Sequence, residues 1–130
     1  MKVINVLNLT DTYRDVHCPT GGFRSIRPVL AADGMGVSVH KTIIPKGPAQ
    51  HWHYKHHIEA CYCIAGTGVL TDLATGKKHW IVPDVVYVLD DHDDHTFEAI
   101  TTVVLISIFN PPVTGTEVHQ ADGSYEASND

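Results

Sequence analysis

Two clusters of metal-binding side chains lie about thirty residues apart in this sequence. The first, at residues 51–59, contains four histidines and a glutamate. The second, at residues 90–95, contains four aspartates and two histidines. Imidazole nitrogens and carboxylate oxygens are common protein ligands of zinc and of non-haem iron. Two donor clusters held on a stiff sheet therefore predict a single mononuclear metal site.

The composition of the 130-residue chain indicates one folded domain, with 43% hydrophobic and 18% charged residues. The net charge of −6 argues against nucleic acid or an anionic membrane as a partner. No stretch approaches the roughly 20 apolar residues of a membrane-spanning helix. We expect residues 1–130 to form one domain, with a polar C-terminal tail at residues 118–130.

The three cysteines are Cys18, Cys61 and Cys63. Their odd number favours free thiols in a reducing compartment, and we therefore expect a cytoplasmic protein. A thiolate metal site is a less favoured interpretation, because three cysteines offer few ligands.

Short apolar runs rich in β-branched and aromatic residues dominate the chain, and turn signals separate them at short intervals. This pattern predicts an all-β sandwich or barrel. A short helix is expected near residues 6–13, the last long strand should end at Pro111, and residues 127–130 should be mobile. The predicted strands lie around residues 37–39, 61–64, 80–82, 85–89 and 102–109.

Alternation along residues 53–63 predicts the two faces of one extended strand. His57, Glu59 and Cys61 would share a polar face that lines a wet cavity, because buried polar groups require partners. The opposite face, with residues such as Ile58 and Tyr62, would pack against the rest of the protein. This assignment of residues to two faces holds only if residues 53–57 are themselves extended.

The glycine, histidine and glutamate spacing resembles the cupins, whose fold is an all-β, double-stranded β-helix or jelly-roll barrel. His53 and Glu59 occupy two slots of the first cupin motif, and His95 occupies the ligand slot of the second. Lys55 stands in the second histidine slot, where an ammonium group cannot bind a cation. The ligand set therefore departs from the common cupin site.

A narrower resemblance, collinear from about residue 22 to residue 125, is to ectoine synthases. It is carried by the strings at residues 34–40, 53–63, 87–95 and 109–119. The resemblance implies an iron-dependent hydro-lyase that converts N-γ-acetyl-L-2,4-diaminobutyrate to ectoine with loss of water. It implies Fe(II) bound by Glu59, Tyr87 and His95, a set of hard to intermediate donors that suits this ion.

By the same resemblance Tyr54 and His57 transfer protons, and the C-terminal tail is a lid. Tyr54 lies on the opposite parity from Glu59, so its participation requires a bend or bulge. Arg27 would pair with the substrate carboxylate. The substrate-binding set implied by the family is Phe23, Ser25, Arg27, His40, Thr42, Ser107, Phe109, Glu117 and His119.

Three positions depart from the family pattern. Phe23 stands where tryptophan is usual, Ser107 where cysteine is usual, and Asp84 where glycine is usual. These departures leave open a paralogue that acts on a related N-acyl diamino acid. The motifs are also compatible with a cupin dioxygenase, isomerase or cyclic-amidine hydrolase, and with a non-enzymatic cupin that binds a small ligand.

Several histidines have simpler interpretations. His51 and His56 are interpreted as surface residues, and His92 as part of a turn. We also expect a homodimer, because pairing through edge strands would cover exposed hydrogen-bonding groups.

Overall fold

Ten antiparallel β-strands form two sheets in the computed structural model, which describes residues 1–127. One sheet has the strand order β1-β2-β3-β10-β5-β8, and the other has the order β4-β9-β6-β7. The all-β class predicted from the short apolar runs is confirmed. The strands are β1 (Asp15–His17), β2 (Arg24–Val29), β3 (Ser38–Ile44), β4 (Gln50–Trp52), β5 (Ile58–Ala65), β6 (Gly68–Asp72), β7 (Lys78–Ile81), β8 (Val86–Leu89), β9 (His95–Ala99) and β10 (Val103–Asn110).

The hydrophobic core lies between the sheets, because alternate side chains of each strand point inwards. The stacked rings of Trp52 and Phe97, 5.9 Å apart, form its centre on the four-stranded sheet. Leu105 and Phe109 face them from β10, on the six-stranded sheet. The functional side chains discussed below occupy the same inward positions.

The predicted helix near residues 6–13 is shorter than expected. A 3-10 helix covers Val6–Leu9, and the side chain of Asn5 accepts a hydrogen bond from the backbone N–H of Leu7. A second 3-10 helix covers Ala31–Asp33. The last long strand ends at Asn110, immediately before Pro111, as predicted. Of the tail expected to be mobile, residues 128–130 lie outside the described residues.

The prediction of one extended strand from residue 53 to residue 63 is wrong for its first half. β4 ends at Trp52 and β5 begins at Ile58. The backbone between them bonds to loops: His53 N–H donates to the carbonyl of Gly123 at 3.0 Å, and the ring of His92 bonds the carbonyl of Tyr54 at 2.9 Å. This break is the bend that was expected if Tyr54 was to face the same site as Glu59.

For β5, the prediction that the polar face points into the barrel is confirmed, but the predicted packing of the opposite face is wrong. Glu59, Cys61 and Cys63 point into the barrel and are buried. Ile58 and Tyr62, which were predicted to pack, lie on the outer face and are 40% and 43% exposed. The reason is that β5 lies between β10 and β8, so only its inward face meets the second sheet.

Gly66, in the turn between β5 and β6, is expected to be the most sensitive glycine of the chain. Its φ is +84°, and a Cβ there would lie 1.9 Å from the carbonyl oxygen of Thr102. Gly66→Ala should lower the free energy of unfolding by at least about 2 kcal/mol, measured by urea denaturation. Gly76→Ala is the matched control, because Gly76 also has a positive φ but has no atom within 4 Å of its added Cβ. Equal losses in both variants would contradict the steric argument.

Candidate active site

A narrow cavity lies between the sheets, and His119 and Tyr125 of the C-terminal segment form part of its wall. Its wall combines aromatic rings with a few polar groups, which is the usual composition of a small-molecule site. It is lined by Phe23, Thr42, Trp52, Tyr54, Glu59, Tyr87, Leu105, Ser107, Phe109, His119 and Tyr125.

Glu59 and Tyr87, two of the residues expected to bind metal, lie in this wall on β5 and β8. Burial raises the pKa of Glu59 to about 8, although hydrogen bonds from Cys61 and Ser107 oppose the shift. Burial also raises the pKa of the Tyr87 phenol well above its ordinary value. Both groups are therefore protonated at neutral pH unless a cation binds them.

His95, the third expected ligand, lies on β9 with its ring inside the barrel. Its Nδ1 lies 2.9 Å from the carbonyl oxygen of Asp93, which can only accept, so Nδ1 carries the proton. Nε2 is buried and has no hydrogen-bond partner among residues 1–127. Burial lowers the pKa of the ring, which keeps it neutral. A neutral imidazole oriented by a carbonyl, with its second nitrogen bare, is the usual state of a metal-binding histidine.

Tyr87 lies between two spaces in the barrel. It lines the cavity beside Glu59, and it also lines a second, more open cavity that contains His95. Among residues 1–127, no three His, Cys, Asp or Glu side chains converge closely enough to form a metal site by themselves. The candidate set thus depends on the phenol of Tyr87. The buried carboxyl of Glu59 and the bare nitrogen of His95 fit a cation chemically.

Tyr54 and His119 form a hydrogen-bonded pair over the cavity, with 2.7 Å between the Tyr54 hydroxyl and Nε2 of His119. Burial lowers the pKa of His119 to about 3, so the ring is neutral and accepts from the phenol. Burial raises the pKa of Tyr54 well above its ordinary value. The pair is a neutral donor and acceptor in contact with the space where a substrate would lie.

His57, the other residue expected to transfer protons, is buried behind the cavity wall. Its ring meets Phe109 and Tyr125 edge to face, with centroids 5.9 and 6.0 Å apart. Burial lowers its pKa, with a further contribution from His56. His57 therefore supports two wall residues and does not itself line the cavity.

Arg27 is completely buried, and neutral groups bind each of its guanidinium nitrogens. Nη1 donates to the carbonyl of Gly115 at 2.8 Å, and Nη2 donates to the carbonyl of Glu117 at 2.7 Å. Nε donates to the Ser25 hydroxyl at 3.1 Å, and Tyr125 lies 3.4 Å from Nη2. The ion pairs of the described residues do not include Arg27. A buried cation without a carboxylate is an unusual arrangement.

The remaining substrate-binding candidates fall into three groups. Ser25 and His40 are hydrogen-bonded to each other at 3.1 Å, behind the cavity wall. The carboxylate of Glu117 accepts the backbone N–H groups of Thr114 and Gly115, both at 2.7 Å, and so stabilises a turn. The candidates that line the cavity are Phe23, Thr42, Ser107, Phe109 and His119.

A sequence model of the ectoine synthase family matches residues 1–129. The chain belongs to the ectoine synthase family.

Two relatives show how extensive the similarity is. The L-ectoine synthase of Marinomonas sp. (strain MWYL1) is 48% identical over 115 residues, which cover 88% of this chain and 89% of that protein. The L-ectoine synthase of Teredinibacter turnerae (strain ATCC 39867 / T7901) is 43% identical over 126 residues, covering 97% and 96%. The similarity therefore includes both clusters of candidate ligands.

The solved structures support the same family and fold. The crystal structure of ectoine synthase from P. lautus matches with a TM-score of 0.82 and 35% identity, covering 88% of this chain and 80% of that chain. The cupin domain of Cnp3 from Schizosaccharomyces pombe matches with a TM-score of 0.58 and 13% identity, covering 68% and 61%, and shows the fold alone. The predicted cupin-type barrel is confirmed.

Two of the three departures from the ectoine synthase pattern, Asp84 and Phe23, have local structural explanations. Asp84 has a φ of 75°, so this aspartate adopts the left-handed conformation of the expected glycine. Its carboxylate accepts a hydrogen bond from the Tyr62 hydroxyl at 2.7 Å. Phe23 packs against Trp52 and His119, with centroids 5.7 and 4.6 Å away, so a flat ring is kept in the wall.

Three wall residues of this ectoine synthase family member were not predicted: Trp52, Leu105 and Tyr125. Leu105 could have been predicted from the sequence, because alternation along the strand places it on the same inward face as Ser107 and Phe109. Trp52 ends β4, where the break in the strand was not recognised. Tyr125 is buried against Phe109 and His119, at 5.4 and 4.9 Å, although nothing local in the polar tail distinguishes it.

The histidines interpreted as peripheral are exposed, as expected. His51 and His56 are on the surface, and His92 is exposed in the loop between β8 and β9, with a φ of 48°. The three cysteines are free, which confirms their interpretation as thiols. No helix within residues 1–127 is long and apolar enough to span a membrane.

Proposed function

We propose that this protein closes the ring of ectoine: the α-amine of N-γ-acetyl-L-2,4-diaminobutyrate attacks the acetyl carbon. A carbon–nitrogen bond forms, and the acetyl oxygen leaves as water with the two amine hydrogens. The observation that carries the proposal is a cavity that places Glu59 and Tyr87 beside the Tyr54–His119 pair, in a member of the ectoine synthase family. The protein is thus a lyase of ectoine biosynthesis.

The cavity first contributes proximity. The substrate is flexible, and its two reacting ends meet rarely in water. A folded substrate held by the rings of Phe23, Trp52 and Phe109 would have its amine close to the acetyl carbon. Such an arrangement lowers the activation free energy of ring closure by several kcal/mol.

Proton transfer is the second contribution. An amine attacks only when it is neutral, so a base must take a proton from the bound ammonium group. The hydroxyl of Tyr54 is hydrogen-bonded to Nε2 of His119, so the pair offers a path for a proton away from the amine. We assign this relay to Tyr54 and His119, and a supporting role behind the wall to His57.

A divalent cation, which we propose to be Fe(II), would be held by Glu59, Tyr87 and His95. When bound, it would act as a Lewis acid on the acetyl oxygen. The carboxyl of Glu59 and the phenol of Tyr87 would lose their protons to bind it, and His95 would offer its bare Nε2. The support for a bound cation is the presence of these two buried acids and the unpartnered imidazole nitrogen.

Recognition of the substrate carboxylate is assigned to Arg27. The guanidinium does not line the cavity, but it contacts the hydroxyl of Tyr125, which does. Its partners are all neutral, so a carboxylate that reached it would be its first charged partner. Arg27 also binds the carbonyls of Gly115 and Glu117, which precede the tail residues His119 and Tyr125. We therefore propose that the C-terminal segment is a lid whose seating is linked to carboxylate binding.

The direct test is to incubate iron-loaded protein with N-γ-acetyl-L-2,4-diaminobutyrate and to follow ectoine by NMR. Ectoine should appear with the loaded protein and fall to background when a chelator has removed the metal. The same samples are then given ectoine alone. Hydrolysis of ectoine without any net ring closure would favour the cyclic-amidine hydrolase instead.

We further propose a homodimer formed through the six-stranded sheet. Its support is a group of apolar side chains on the outer face of β5, β8 and β10, next to the open edge of β8. Free thiols at all three cysteines also favour the cytoplasm, where an osmolyte made under osmotic stress would accumulate. The apolar group is Ile58, Tyr62, Ile64, Val86, Val88 and Ile108, each at least 40% exposed.

Val88→Asp is expected to convert the dimer to a monomer, because Val88 is 57% exposed at the centre of this group on the edge strand. A buried, unpaired carboxylate at the interface would be costly. Sedimentation equilibrium measures the mass. Leu73→Asp, at an exposed leucine in the turn between β6 and β7, is the control and should leave the mass unchanged. An unchanged dimer in Val88→Asp would contradict this interface.

A further inference from the structure

The described residues of the C-terminal segment, which follow β10, are part of neither sheet and are held over the cavity at two places. Near the start of the segment, the buried guanidinium of Arg27 binds the carbonyls of Gly115 and Glu117. His119, a wall residue of the cavity, comes next. Residues 120–124 then fold into a tight turn that meets β4. The segment is therefore anchored on both sides of His119.

The turn docks on β4 through Gly123. The backbone N–H of His53 donates to the carbonyl of Gly123 at 3.0 Å, and the N–H of this glycine donates to the carbonyl of Gln120 at 2.9 Å. The φ of Gly123 is +80°, and a Cβ there would lie 2.6 Å from the carbonyl oxygen of His51 and 2.9 Å from Cα of Trp52. Only a glycine allows the two backbones to approach so closely.

Lys55 holds the same turn from the side. Its Nζ lies 3.0 Å from Oδ2 of Asp122, so the lysine in the second histidine slot of the cupin motif binds the tail. Both side chains are nearly half exposed, and an ion pair of this kind contributes little stability by itself. The other anchor, Arg27, is completely buried. The turn is therefore the weaker of the two anchors and is the one that opens first.

We propose that Lys55 and Gly123 are positioning residues, which seat the turn on β4 and so place His119 and Tyr125 against the substrate. The inference rests on the proposed function and adds two residues that do not line the cavity. His119 and Tyr125 flank the turn, with ring centroids 4.9 Å apart, so one docking contact sets the position of both rings. The cavity is narrow with the turn docked, so the turn leaves β4 when substrate enters and returns before ring closure.

Trp52 allows the docking of the turn to be measured separately from activity. It is 6% exposed, and its ring packs against that of His119 with 5.5 Å between centroids. The chain has two tryptophans, and the other, Trp80, is 66% exposed on β7. In a Trp80→Phe background, quenching of fluorescence by acrylamide therefore reports how well the turn covers Trp52.

The test compares Gly123→Ala, Lys55→Met and Lys55→Arg in this background, using the full chain loaded with iron. Gly123→Ala should raise the quenching constant severalfold and lower kcat by about 10- to 100-fold, the usual cost of a small misplacement of groups that orient a substrate. Lys55→Met should lower kcat by about 2- to 5-fold, because an exposed ion pair is weak, and Lys55→Arg should restore it. Gly76→Ala is the control, since Gly76 also has a positive φ but lies in the distant turn between β6 and β7, and it should change neither signal.

The outcomes separate failure of this inference from failure of the proposed function. If the parent protein forms ectoine and Gly123→Ala leaves both quenching and kcat unchanged, the positioning role is refuted and the function stands. Raised quenching with an unchanged kcat, or equal losses in Gly123→Ala and Gly76→Ala, would also overturn the role. Should Gly123→Ala fail to fold, Lys55→Met decides by the same two signals. If the parent forms no ectoine, the proposed function is refuted and the inference falls with it.

Discussion

Glu59→Ala is expected to lose both bound iron and ectoine formation. The change removes one of three proposed ligands, and a Lewis acid stabilises the transition state by several kcal/mol, so kcat should fall at least about a hundredfold. Iron content is measured by elemental analysis, and turnover by the NMR assay. Glu98→Ala, on the outward face of β9, is the control and should keep both properties.

The metal-free stability of a Glu59 variant provides an independent check that the protein has folded. The pKa of Glu59 is raised from 4.5 to about 8, so the native state binds its proton more tightly than the unfolded state. The stability from this proton is fully present below pH 4.5 and is lost as the pH rises through 8. Glu59→Gln should flatten this decline in denaturation experiments on metal-free protein. Full iron content and full activity in Glu59→Ala would show that the carboxylate is not a ligand.

Arg27→Gln is expected to raise the KM for substrate by at least about thirtyfold, because truncating one partner of a buried charge pair costs 2–5 kcal/mol. The steady-state assay is repeated with N-acetyl-1,3-diaminopropane, which has the same reacting groups but no carboxylate. If Arg27 recognises the carboxylate, the parent protein and Arg27→Gln should use this analogue equally poorly.

The control for Arg27 is Arg24→Gln, on the same strand. Arg24 pairs with Asp15 through two hydrogen bonds of 2.7 Å at the outer edge of the sheet, so this variant should change stability without changing KM. An equal effect of Arg27→Gln on the carboxylate-free analogue and on the substrate would indicate that Arg27 acts by seating the C-terminal segment alone.

The inward positions of the central strands were predictable from the sequence. Because side chains alternate along a strand, Glu59 and Cys61 had to share a face. The family resemblance added Tyr87 and His95 as ligands, and the structure places them on facing sheets. No local pattern would have revealed that Nε2 of His95 is bare, since this depends on the distant groups that surround it.

Where the alternating pattern does not correspond to a strand, contacts between distant segments decided the local structure. Residues 53–57 look extended by alternation, but the carbonyl of Gly123 and the ring of His92 take their backbone hydrogen bonds and break the strand. This break brings Tyr54 to His119, although the two residues are far apart in sequence.

The sequence by itself determined the all-β class, the family and which strand residues point inwards. These features depend on short-range alternation and on motifs that can be recognised in the sequence alone. Only the tertiary structure decided which polar groups lack partners, which apolar face of β5 stays exposed, and that Arg27 is held by the carbonyls of Gly115 and Glu117. Each of these depends on contacts between segments distant in the chain, and the environment that such contacts create is absent from any local stretch of residues.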